Sequence, residues 1–145
     1  MNPDKVIVHC SATPDYEISS KRYDIIGAHE IDIMHKQRGF TKIGYHWVIR
    51  RTGIIEPGRV DGAVFEIGAH CKGLNTRSIG ICYIGTDKPT DDQLISLRLL
   101  FSDISKRRGI DIKEWYTHNY FNHHKTCPGF SMKDLKNILS TIDFV

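Results

Sequence analysis

Eight histidines and four cysteines stand among 145 residues, so the first question is which of them a fold can bring together. His9 ends the apolar run Val6-Ile7-Val8, which has the composition of a short buried strand. His118 ends a second β-rich segment, Trp115-Tyr116-Thr117, and Cys127 follows in a loop that Pro128 stiffens. In open α/β sheets, functional side chains gather at the ends of strands. Two imidazoles and one thiolate form a zinc donor set that leaves a fourth tetrahedral position for water. Zinc in such a site polarises an amide carbonyl and makes hydroxide available near neutral pH, the chemistry that hydrolysing an unactivated amide requires. Spacing alone leaves a rival arrangement. His123 and His124 stand four and three residues before Cys127, intervals common among ligands sharing one loop, so a structural His/Cys site there is the alternative.

Other patterns are excluded more firmly. His29-Glu30 is followed by Ile31, Asp32 and Ile33, so the second histidine of a His-Glu-x-x-His zinc protease is missing. Cys82 lies in the apolar run Ile79–Ile84 and reads as a small buried side chain. The N-terminus lacks a basic start followed by a long apolar stretch, so the expectation is a product made in the cytoplasm without a secretory signal. In that setting reduced or metal-bound thiols are expected rather than disulfides. No apolar segment is long enough to span a bilayer. The net charge of +3 suits an anionic polymer and forms no concentrated basic stripe, so nucleic acid is not the expected partner.

The elements that must position these residues can be read from periodicity. Lys5 to His9 reads as a strand. Ser19 or Ser20 is placed to cap a helix running to about Arg38, with Gly39 as its stop. Tyr45 to Arg51 is β-rich, and Thr52-Gly53 turns it back into Ile54-Ile55-Glu56 as a hairpin. Gly58 to Asn75 reads as a glycine-rich loop, and Ser78 to Ile84 as the central strand. Thr90 and Gln93 form a capping box for a helix carrying Leu94, Leu97, Phe101 and Ile104 on one stripe, ended by Gly109. Ser131 caps a last helix carrying Leu135, Ile138, Leu139 and Ile142. Strands and helices interleave, so the class is α/β and residues 1–145 form one domain.

Several segments together resemble one family. Val8-His9-Cys10-Ser11-Ala12-Thr13 is similar to the opening motif of the type 2 N-acetylmuramoyl-L-alanine amidases, which include phage lysozyme-like amidases and peptidoglycan recognition proteins. His35-Lys36-Gln37-Arg38-Gly39-Phe40 resembles the segment after the first helix, and Ile43-Gly44-Tyr45-His46-Trp47-Val48-Ile49 the strand that follows. Gly68-Ala69-His70-Cys71-Lys72-Gly73-Leu74-Asn75 looks like the glycine-rich active-site loop, and Ser78-Ile79-Gly80-Ile81 like the central strand. Lys125-Thr126-Cys127-Pro128-Gly129-Phe130 resembles the closing motif. The matches run in family order over nearly the whole chain.

The resemblance implies a central mixed β-sheet flanked by helices, with a zinc site in a surface groove at the strand ends. It implies zinc ligands at His9, His118 and Cys127, catalytic parts for Tyr45 and Lys125, and a substrate-facing His70. His118 comes through the strand-end segment Tyr116-Thr117-His118-Asn119. The interval from His118 to Cys127 is one residue longer than the family's usual spacing, and His123-His124 lies within it. The implied activity is zinc-dependent cleavage of the amide between the lactyl group of N-acetylmuramic acid and L-alanine. Peptidoglycan is then the partner, a monomer the expected state, and delivery to the wall the task of another component. Family members without the cysteine bind peptidoglycan without cutting it, which is the alternative reading.

Overall fold

The computed structural model describes residues 1–61 and 64–141. Five strands form the main sheet: β1 (Lys5–Cys10), β2 (Trp47–Ile49), β3 (Ile55–Pro57), β6 (Ser78–Tyr83) and β7 (Trp115–Thr117). Their order is β3-β2-β6-β1-β7. β1 runs parallel to both β6 and β7, β2 runs parallel to β6, and only β3 is antiparallel. The sheet is therefore mixed, as expected, with β6 at its centre. All six residues of β6, and all of β1 after Lys5, are buried, because helices cover both faces of a mostly parallel sheet.

Alternation along each strand sends side chains to opposite faces. Val6, Val8, Ile79, Ile81 and Trp115 join Leu97, Leu100 and Ile104 of α2 (Asp91–Arg108) and Leu135 and Leu139 of α4 (Met132–Ser140). A smaller cluster of Ile26, Ile31, Ile43, Val48 and Ile84 lies against α1 (Ala28–Gln37). Ile7 and His9, offset by one residue from Val6 and Val8, belong to this second face.

The helices follow the sequence with adjustments. Helix α1 begins seven or eight residues later than a serine cap at 19 or 20 predicts, at N-cap Gly27. The Ser20 hydroxyl and carbonyl instead accept from Arg22 and Tyr23 in a turn. The first free amides of α1 find two carboxylates: Gly27 N–H donates to Glu30 at 2.8 Å and Ala28 N–H to Glu56 at 2.9 Å. Gly39 follows the helix at φ +94°, a left-handed conformation suited to glycine.

The Thr90/Gln93 capping box forms, and Gly109 closes α2 in the left-handed conformation. Buried positions of α2 include Gln93 and Ser96, while Leu94 and Phe101 are half-buried. Gln93 fits inside because its amide nitrogen donates to the carbonyls of Ile49 and Ile84. Within the expected loop Gly58–Asn75, β4 (Val60–Asp61) pairs with β5 (Val64–Phe65). Ser131 caps α4, and Ile142 lies outside the described residues.

Arg51 is buried behind β2 and gathers several elements. Its guanidinium donates to the carbonyls of Tyr16, Ile84 and Lys88 and to Gln93 Oε1 at 2.9–3.2 Å, with Asp15 at 3.7 Å. Replacing Arg51 with Met strands those acceptors without desolvating a new charge. The expected loss is about 3 kcal/mol in urea unfolding; a loss below about 0.5 kcal/mol would contradict this role.

Candidate metal centre

Parallel pairing of β1 with β7 places Val8 opposite Thr117, so the next residue of each chain segment, His9 and His118, emerges side by side. His118 is the first residue of α3 (His118–Phe121) rather than the last of the strand. Its carbonyl accepts the Asn122 N–H as that short turn closes. The two imidazole centres lie 4.5 Å apart.

Cys127 is brought to the pair by a fastened loop. Asn119 N–H donates to the Cys127 carbonyl at 2.9 Å, Asn119 Nδ2 donates to Phe130 O at 3.0 Å, and the Tyr83 hydroxyl donates to Pro128 O at 2.7 Å. One ligating atom each from His9, His118 and Cys127 lies within 4.8 Å of the others, the one such group of three among the described residues. His123 and His124 are exposed and outside it.

The electrostatics suit a divalent cation. Burial first, then neighbouring histidines, hold the His9 imidazole well below its ordinary range. Burial, then the Lys125 charge, lowers that of His118. Both rings are thus neutral with free lone pairs at pH 7. The Cys10 N–H donates to Cys127 Sγ at 3.1 Å, which favours a thiolate there. The Cys10 and Cys127 thiols also face each other. Their hydrogen bond draws Cys10 down to about 7 and, with burial, pushes Cys127 up. The pair therefore gives up one proton near neutrality from Cys10, and a cation at the site is what would draw the charge to Cys127. Two neutral imidazoles and one thiolate fit zinc and leave a net charge near +1.

The three residues open onto a groove of about 870 Å³ that Tyr45, His70 and Lys125 also line. Tyr45 stands 5.1 Å, ring to ring, from His9. Burial foremost, then nearby cysteines, push its phenol further above an already high value, so the O–H remains a donor. Lys125 is exposed at the rim. Two further histidines have structural partners: buried His35 accepts the Gly44 N–H, and buried His46 accepts the Gly80 N–H.

His70 borders the groove, but its ring is mostly covered and its Nδ1 lies 2.9 Å from His9 Nε2. That contact was not foreseen from the sequence. A signal for it existed in Gly80, since glycine inside a strand marks a close approach. A Cβ built on Gly80 would meet the His70 ring at 2.6 Å. The part of Cys10 was also not foreseen.

The arrangement has counterparts. Residues 1–130 match the family model described as N-acetylmuramoyl-L-alanine amidase. The chain belongs to the N-acetylmuramoyl-L-alanine amidase family. It is an enzyme of that class, consistent with an endolysin of Escherichia phage T7 that is 37% identical over 97% of this chain and 91% of that protein. Among solved structures, the amidase LysC from Clostridium intestinale superimposes with a TM-score of 0.78 at 28% identity, covering 98% of this chain and 88% of LysC. A complex of the peptidoglycan recognition proteins LCa and LCx with tracheal cytotoxin gives 0.75 at 26% identity, covering 94% of this chain and 82% of that one.

If the amidase holds zinc through this group, His118→Ala should lower zinc affinity at least a hundredfold, read by competition with a chromophoric chelator. His124→Ala should leave it within about twofold. The reverse pattern would move the second nitrogen ligand into the 122–125 loop.

Proposed function

We propose that the chain hydrolyses the amide between the lactyl carbonyl of N-acetylmuramic acid and L-alanine in peptidoglycan, with zinc held by His9, His118 and Cys127. The observation that carries this reading is the convergence of that donor set at the floor of an open groove that also presents a cation and a phenol. Bound zinc supplies a Lewis acid that polarises the amide and activates water at neutral pH.

The chain's own residues supply the rest. Lys125 offers a positive charge to the oxygen that gains charge as the carbonyl becomes tetrahedral, a contribution typically worth a few kcal/mol. The protonated Tyr45 phenol donates a hydrogen bond to the same oxygen. Cys10 N–H steadies the charge on Cys127. Water adds across the bond, giving a lactyl carboxylate and a free L-alanine amine.

An exposed groove lets a polymer lie across the site without threading. No helix among the described residues is long and apolar enough to cross a membrane. The likeness to the recognition proteins, described as bound to tracheal cytotoxin, favours one second reading: a groove that holds peptidoglycan without cutting it.

Mass spectrometry of purified peptidoglycan after incubation separates the two. Stem peptides with a free N-terminal L-alanine should appear, vanish when a chelator is added and return with zinc. Tight binding to the same material without new termini would leave only the recognition reading. Lys125→Ala should keep its zinc and lose about a hundredfold in kcat; full activity in that variant would remove Lys125 from the mechanism.

A further inference from the structure

His70 was expected at the substrate, yet its nitrogens are engaged within the protein. Nε2 lies 3.4 Å from the Ser78 carbonyl oxygen and 3.3 Å from Ser78 Oγ. The carbonyl can only accept. The Ser78 hydroxyl spends its single proton on the Leu74 carbonyl at 2.7 Å, so toward His70 it too is an acceptor. Nε2 therefore carries the His70 proton, and Nδ1 is left with a lone pair. His9 Nε2, 2.9 Å from that lone pair, must be the donor. A neutral imidazole has one N–H, so the nitrogen of His9 with a free lone pair is Nδ1.

The chain of hydrogen bonds that runs from the accepting Leu74 carbonyl through Ser78 and His70 thus fixes which nitrogen His9 can offer to an ion. Its parts are held firmly. The His70 ring lies over Gly80, where a Cβ would collide with it, and stands edge-on to His46 at 5.6 Å. The Asn75 side-chain oxygen accepts the backbone N–H groups of both His70 and Cys71, at 2.8 and 2.9 Å. No carboxylate hydrogen-bonds either ring among the described residues.

We infer that His70 is a positioning residue: it locks His9 in the Nε2–H tautomer and orients its Nδ1 lone pair as a zinc ligand. The inference rests on the zinc reading above. Partners of this kind are typically worth 10- to 100-fold in metal affinity.

Two measurements test it. In the first, zinc affinity is read by chelator competition for the wild type, His70→Phe and His70→Asn, with the melting temperature of each zinc-free protein. His70→Phe keeps a ring over Gly80 and loses the acceptor, so zinc should bind 10- to 100-fold more weakly. His70→Asn returns an amide oxygen near the Nδ1 position and should recover most of that loss at a similar melting temperature. Equal zinc affinity in His70→Phe, or no recovery in His70→Asn, would overturn the inference while leaving the zinc reading intact. A wild type that binds no zinc would overturn both.

The second measurement needs no variant and decides the matter if His70→Phe does not fold. Imidazole ¹⁵N spectra of the zinc-free wild type should show both His9 and His70 protonated at Nε2. A proton on Nδ1 of either ring would overturn the assignment.

Discussion

Parallel pairing sets Val8 of β1 beside Thr117 of β7, and the residue after each is a histidine. That register is the constraint on which the metal group depends. Because side chains alternate between faces, slipping either strand by one residue would send one imidazole into the core under α2 and α4. The pairing is strongly specified, since β1 is buried on both faces and also pairs through all six residues with β6. Stability of the sheet and placement of the donors are therefore the same interaction, seen from its two ends.

What the strands cannot supply, the loops do, and each loop is tied back to the sheet. The Cys127 segment is fastened through Asn119 and through the Tyr83 hydroxyl at the end of β6. The His70 loop is fastened through Asn75 and through the gap that Gly80 leaves in the same strand. β6 thus organises the site without lending it a donor. Burial at these strand ends also sets the chemistry. It disfavours charged imidazolium, so the nitrogens are available as lone pairs; the Cys10 thiol and burial push the Cys127 thiol up, an effect the Cys10 backbone amide partly offsets.

Much of this was legible in the sequence. Apolar runs of strand length, the Thr90/Gln93 capping box and the glycine stops are local signals, and the structure keeps them. The start of α1 was not, because its amides are satisfied by Glu30 and by Glu56 from a distant strand, whereas Ser20 spends its oxygens in a turn. The choice between His118 and the His123-His124 pair could not be made from spacing. It depends on strand register, a long-range property, and the geometry brings His118 to His9 and leaves the pair exposed. The hydrogen bond between His70 and His9 joins residues 61 apart, and Gly80 signalled only that some group approaches the strand closely there, without saying which.

The central claim is the identity of the ligands, and the adjacent Cys10 thiol makes the sulfur count the sharpest part of it. X-ray absorption at the zinc edge of the zinc-loaded protein reads that count directly. The account predicts one sulfur at about 2.3 Å, with nitrogen and oxygen neighbours at about 2.0–2.1 Å filling the remaining positions. Two sulfurs would mean that Cys10 has joined Cys127 on the ion, and none would mean that the metal lies elsewhere. Either result would contradict a site built from His9, His118 and Cys127.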